Sequence, residues 1–291
     1  MSRIIRDFFM ININGKISSQ INELSLNNRG YKYGDALFET IKAIHGRVLF
    51  WEDHYFRLMA SMRIMRMDIP MTFTMEFLKN EIIKTIQANN LNDKSARIRL
   101  TIDRGEGGRY NPKSNNHINY HIQVEPLEDD FYGIANDIDY KIELYKDHYI
   151  APSLLSTLKT NNRAINVIGS IFANENDYDN CLLINTNKQV VEALNGNIFL
   201  VNGNTIKTPP LKDGCIKGVI RKQLINIISE LEEYTLVEES ISPFELQKAD
   251  ELFITNVIVG IQPVSNYRKK SFKYETAKML TAKLNLKARF S

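Results

Sequence analysis

Short strand-period runs that end in two-residue turns constrain this chain more than any other feature of its sequence. "FFMININGK" alternates into an Asn14–Gly15 turn, and "ALFETIKAIHGRVLFW" is two β-rich runs about His45–Gly46. Such turns join antiparallel neighbours, so each run must pair with the next. Helical stretches interrupt them. "EDHYFRLMASMRIMRMDIP" has Asp53 positioned to cap it and Pro70 just past its end. "TMEFLKNEIIKTIQANN" is a second helix, followed by strands in "SARIRLTID" and "NYHIQVEP". Past the acidic break "EPLEDDFYG", the pattern predicts a helix near 162–175, then strands in "CLLIN", "QVVEAL" and "NIFLV". A helix at 217–231, a capping-box start at "SPFE", a strand in "ELFITN" and a helical C-terminus complete it. Hairpins with interspersed helices predict an α+β fold rather than a doubly wound parallel sheet.

A chain of 291 residues is long enough for two cores. The acidic break is the linker in this reading, which gives a small N-terminal domain over 1–124, a linker at 125–133 and a larger C-terminal domain over 134–291. A net charge of +3 gives no reason to expect nucleic acid or a membrane as partner. No run approaches the roughly 18 apolar residues of a membrane helix. Two cysteines, Cys181 and Cys215, are too few for a disulfide framework and point to a reducing, cytoplasmic setting. The opening "MSRIIRDFFMININGK" reads as a strand and turn rather than a signal peptide.

Four places carry chemistry. Lys159 follows the apolar, hydroxyl-bearing "SLLSTL" and precedes a helix whose first turn holds Arg163. Burial and a neighbouring cation both favour a neutral, nucleophilic amine over an ordinary solvated lysine. In "QVVEAL" the strand period puts Glu192 between Val190 and Leu194, where a carboxylate needs a cation or donors. It forms a core salt bridge or holds a proton on a ring nitrogen. Arg57 lines up with Ala60, Ser61 and Ile64 on its helix, which suits either a two-pronged grip on a phosphate or a snorkelling arginine. "PLKDGCIKGVIRKQL" leads a glycine-containing loop into a helix whose first N–H groups form an anion site. "DRGEGGRYNP" sets Arg104 and Arg109 around three glycines, either as a carboxylate-binding loop or as a plain hairpin turn.

Taken in order, "YGDALFETIK", "HYFRL", "LKTNNRAINVI", "LLINTNKQVVEALNGNIFLV", "TPPLKDGCIKGVIR" and "ADELFITNVIVGIQPV" resemble the class IV aminotransferases, the fold-type IV enzymes that use pyridoxal 5′-phosphate. The resemblance spans nearly the whole chain. It implies a two-domain fold like that of the D-amino acid aminotransferases and a homodimer acting on a small-molecule substrate. It also implies roles: Lys159 carries the cofactor and moves the proton, Glu192 faces the pyridine nitrogen, and Arg57 binds phosphate with the amides of Val219 and Ile220. Thr255 and Asn256 match the turn that contacts phosphate and substrate carboxylate, and Tyr33 and Arg109 fall on the substrate side. Ile220 departs from the threonine of many transaminases, and Ala164 from a tyrosine of the branched-chain enzymes. Within the family the details are most similar to the 4-amino-4-deoxychorismate lyases, which release 4-aminobenzoate and pyruvate in folate biosynthesis. The similarity lies in Asn162–Arg163 after the lysine, the "RGEGGRY" loop and Asn256. A transaminase of D-amino or branched-chain amino acids is the alternative.

Overall fold

Both expected two-residue turns form. Asn14 (φ 50°) with Gly15 (φ 89°), and His45 (φ 47°) with Gly46 (φ 75°), have positive φ at both central positions. That twist matches the flanking strands, which pair as Ile13 with Lys16 and Ile44 with Arg47. The chain is described by a computed structural model over residues 9–19, 25–115 and 117–291; the opening residues of the N-terminal strand reading lie outside them. The described residues fall into two compact units. One comprises those up to Asp130 together with Lys159–Asn161; the other comprises Phe131–Leu158 and Asn162–Phe290.

The first unit is built on a six-stranded sheet in the order Lys16–Ser18, Ile11–Ile13, Asn119–Leu127, Ser95–Asp103, Ala36–Ile44 and Arg47–Val48. All its neighbours are antiparallel. Helices Trp51–Ile64 and Met75–Ala88 pack on it, burying Leu58, Met62, Leu78 and Ile82 along with Ile98 and Leu100 of the central strand. A buried carboxylate ties sheet to helix: Glu81 accepts from Asn12 Nδ2 (2.9 Å), the Tyr120 hydroxyl (3.0 Å) and Lys84 (2.7 Å). The first helix starts differently from expectation. It begins at Trp51 after a left-handed Phe50 with no side-chain cap, and Asp53 lies within its first turn. The Trp51 indole donates to the Met75 carbonyl (2.9 Å), so tertiary contact fixes this end, and the carboxylates of Glu52 and Asp53 sit at the positive pole of the helix.

The second unit has two five-stranded sheets. One runs Thr235–Glu238, Thr205–Thr208, Asn197–Asn202, Glu251–Asn256, Gly260–Pro263, antiparallel except for its first pair. The other runs Lys270–Ser271, Asn266–Tyr267, Lys141–Ile150, Asn180–Asn185, Val190–Ala193. Ile142, Leu182, Ile198, Leu252, Ile254 and Tyr267 belong to one buried cluster shared by both sheets. Three longer helices, Ala164–Glu175, Val219–Ser229 and Glu275–Arg289, accompany them, and the Ser242–Glu245 capping box forms as its spacing predicts. Mixed pairing with interspersed helices makes the fold α+β. No helix of the described residues is long and apolar enough to cross a membrane.

Candidate active site

In the first unit, the strand Ala36–Ile44 organises the candidate groups. Lys159–Asn161 joins that unit although the residues on either side belong to the other. It does so as a short backbone splice: Phe38 N–H donates to the Lys159 carbonyl (2.9 Å), Leu37 bridges Thr160, and Asn161 N–H donates to the Ala36 carbonyl (3.0 Å). The half-buried Lys159 side chain puts its Nζ 4.3 Å from the centre of the Phe38 ring. Arg99 stacks on the same ring at 3.8 Å and donates to Asn161 Oδ1 (3.2 Å). Sequence reasoning passed over Arg99, because its alternation with Arg97 in "SARIRLTID" reads as a solvated face. Arg97 does take the solvent-side partner Glu125 (2.8 Å), whereas Arg99 turns to the lysine segment.

The next residue on that strand, Glu39, is the other group that sequence reasoning left without a role. It lies between Leu37 and Ile41 in the period of two, the same signal that singled out Glu192, and it is only 2% exposed. Its carboxylate takes the Arg57 Nε–H (2.8 Å), a second bond from Arg57 Nη2, and His54 Nδ1 (2.6 Å). Burial alone would raise its pKa. The Arg57 charge and the hydrogen bonds from His54 and Arg57 outweigh burial and hold it at about 2. Burial also pulls the His54 pKa down against the attraction of Glu39, favouring the neutral imidazole. Arg57 is therefore fixed as a fork, with Ser61 Oγ bonded to its carbonyl one turn on (2.7 Å).

The glycine-rich loop separates its two arginines by function. Arg104 is internal: it pairs with Asp35 (3.1 Å) and donates to the Arg66 carbonyl (3.1 Å), Asn115 Oδ1 (2.8 Å) and the Met65 carbonyl. Arg109 is exposed. The Tyr33 and Tyr110 rings meet at a tilt of 55° with centroids 5.7 Å apart, so Tyr33 and the Arg109 segment are neighbours.

In the second unit the backbone of a single residue links Glu192 to Asn197. Ile216 N–H donates to Glu192 Oε2 (2.8 Å), and its carbonyl accepts from Asn197 Nδ2 (2.9 Å). Glu192 is 4% exposed on a strand buried along its length, so a backbone donor supplies part of what a carboxylate there requires. Gly218 follows as the residue before helix Val219–Ser229; a Cβ there would collide with Asn197 Oδ1 and push that buried amide off the Ile216 carbonyl. Val219 and Ile220 open the helix, buried, with their amides in the turn that lacks intrahelical partners. Thr255 pairs across the sheet with Asn197, and its buried Oγ1 has no hydrogen-bond partner among the described residues. Asn256 Oδ1 accepts from Ile258 N–H (3.0 Å) and Val259 N–H (3.1 Å), so its amide oxygen is engaged by the turn and Nδ2 is the donor of the side chain. Arg163 braces the lysine loop through the Leu158 carbonyl (2.6 Å).

A family model described as amino-transferase class IV matches residues 36–267. A putative branched-chain-amino-acid aminotransferase of Methanocaldococcus jannaschii is 31% identical over 282 residues, 95% of this chain and 94% of that protein. An aminodeoxychorismate lyase of Vibrio harveyi is 25% identical over 82% of this chain and 86% of its own. The solved branched-chain aminotransferase of the archaeon Thermoproteus uzoniensis, with norvaline, superposes with a TM-score of 0.83 at 23% identity, covering 96% of this chain and 93% of its own.

The depressed Glu39 carboxylate makes an acid-limb prediction. Its folded-state pKa of about 2 lies below the ordinary 4.5, so the unfolded chain takes up the proton first as pH falls. The stabilisation is complete above pH 4.5 and is lost as pH drops towards 2. Trp51, the one tryptophan, reports the first unit by fluorescence. Urea midpoints of Glu39→Gln should start lower at neutral pH and fall less steeply than those of the parent over this window. Parallel curves would mean the carboxylate is not held in its charged form.

Proposed function

The chain belongs to the amino-transferase class IV family, and on that premise we propose that it is a pyridoxal 5′-phosphate enzyme acting as a 4-amino-4-deoxychorismate lyase. Its residues suit the cofactor. Each unit by itself offers donors to an anion: the opening amides of Val219–Ser229 and the Thr255 hydroxyl, which has no partner among the described residues, in the second, and Arg57, held in place by Glu39, in the first. A protonated ring nitrogen finds in Glu192 a carboxylate already oriented by a backbone donor. When bound, the cofactor supplies the electron sink for breaking bonds at the carbon that carries the substrate amine. Lys159 holds the cofactor and then moves the proton; its seat on Phe38 and the splice to Ala36–Phe38 fix the direction of its amine. Glu192 keeps the ring nitrogen protonated. Asn256 Nδ2 and Arg109 bind substrate carboxylates, and Tyr33 offers an aromatic face.

The observation that carries the lyase reading is the exposed Arg109 in a loop whose other arginine is spent internally, next to the Tyr33–Tyr110 pair. A cation with aromatic faces suits a ring-bearing dicarboxylate; a branched aliphatic side chain needs an apolar wall. Ala164 agrees, since it brings no phenol to the start of its helix. A second reading, amino transfer, is favoured by the 31% identity to a protein named as a branched-chain-amino-acid aminotransferase.

The two readings differ in the fate of nitrogen. A lyase returns it with the product and needs no acceptor, whereas a transaminase needs a 2-oxo acid to receive it. With 4-amino-4-deoxychorismate alone, 4-aminobenzoate and pyruvate should accumulate over many turnovers. Release of neither, with steady transfer from glutamate or leucine to a 2-oxo acid, would replace the lyase by the transaminase.

Glu192 and Arg57 should separate chemistry from binding. Glu192→Gln keeps an oxygen for Ile216 N–H but loses the charge, so kcat should fall by about a hundredfold or more while cofactor retention changes little. Arg57→Lys preserves the charge beside Glu39 but not the fork, and should lose cofactor on dialysis first. Unchanged kcat in the glutamine variant would reduce Glu192 to a core residue.

A further inference from the structure

We propose that Arg29 is a positioning residue for substrate: it sets the glycine-rich loop, and through it Arg109 and Tyr33. The proposal rests on the reading of those two side chains as substrate-side groups. Arg29 opens the short helix Arg29–Tyr33, and its side chain is 4% exposed, a costly site for a cation unless its donors are used. Nε pairs with Asp35 (2.8 Å), Nη1 donates to the carbonyls of Gly107 (3.1 Å) and Arg109, and Nη2 donates to the Tyr110 carbonyl (3.1 Å). Its own backbone N–H donates to the Gly105 carbonyl (2.7 Å), and Asn28 bridges Glu106.

The loop needs such a clamp. Gly105 (φ 67°), Gly107 (φ 104°) and Gly108 (φ 75°) lie in the left-handed region, so these carbonyls turn away from any regular ladder, and glycines give the loop little rigidity of its own. One planar guanidinium collects the carbonyls of Gly107, Arg109 and Tyr110. The same group lies 5.2 Å from the centre of the Tyr33 ring, which in turn meets the Tyr110 ring at a tilt. Arg109 and Tyr33 are thus referenced to one buried cation, whose charge Asp35 neutralises while also holding Arg104. Lysine cannot substitute: its donors radiate from one point and do not span those carbonyls and a carboxylate.

Loosening this clamp should weaken substrate capture and leave the chemistry at Lys159 nearly intact. Arg29→Lys should raise KM for 4-amino-4-deoxychorismate, or for the amino donor if the enzyme proves a transaminase, by about ten- to a hundredfold, with kcat nearly unchanged. Trypsin should cut its Arg109–Tyr110 bond faster than in the parent, because the carbonyl of that bond is no longer held. Gly107→Ala strains the loop and leaves Arg29 in place, so it tests the same link in a second background and should also raise KM. Arg109→Ala calibrates the assay and should raise KM as well. If Arg109→Ala raises KM while Arg29→Lys and Gly107→Ala do not, or if trypsin cuts Arg29→Lys at the parent rate, the clamp is refuted and the substrate reading of Arg109 stands. Unchanged KM in Arg109→Ala overturns both, and a fall in kcat alone for Arg29→Lys overturns the clamp.

Discussion

The backbone pairing of Lys159–Asn161 with Ala36–Phe38 is the constraint on which the candidate site depends. A lysine on a free loop would wander by several ångströms through its four-carbon stem. Here its carbonyl is bonded to the near-edge strand of an antiparallel sheet, along the stretch that the short edge strand leaves uncovered, and its amine rests against a ring from that strand. One residue on, the strand supplies Glu39, which fixes Arg57. A single strand, held along its length by Ser95–Asp103, therefore sets two of the groups that the proposed chemistry needs.

Buried charge follows a consistent rule in this protein. The deeply placed charges near the candidate groups are met by a partner and then filled out with backbone or side-chain hydrogen bonds. Glu39 has Arg57 and His54, Arg29 has Asp35 and a set of loop carbonyls, and Glu192 has the Ile216 amide. Hydrophobic replacements would often be as stable as such pairs, because desolvation offsets much of the Coulomb gain. Their use here is geometric: each aims a guanidinium, a loop or a carboxylate that a softer core would leave free.

Local pattern carried much of this into the sequence. The Asn14–Gly15 and His45–Gly46 turns, the Ser242 capping box and the isolated Glu192 are all short-range signals, and they read directly. Glu39 carries the same alternation signal as Glu192, on a strand just as buried, and what separates its role from a plain core carboxylate is the pairing with Arg57 and His54 from a helix that no local period connects to it. Other features were out of reach for a different reason. The start of the Trp51 helix is fixed by a bond to Met75, the lysine splice joins segments far apart in the chain, and Arg29 acts on carbonyls in a loop that no local period connects to it. Arg99 and Arg104 show the limit most plainly, since composition cannot tell a solvated arginine from one turned inward.

The central claim is that the spliced lysine carries the cofactor. Borohydride reduction of the purified protein, followed by peptide mapping, measures this directly. The account predicts one pyridoxyl-modified peptide, containing Lys159, and no labelling once that residue is alanine. Modification at any other lysine, or none in a protein that retains the cofactor, would contradict it.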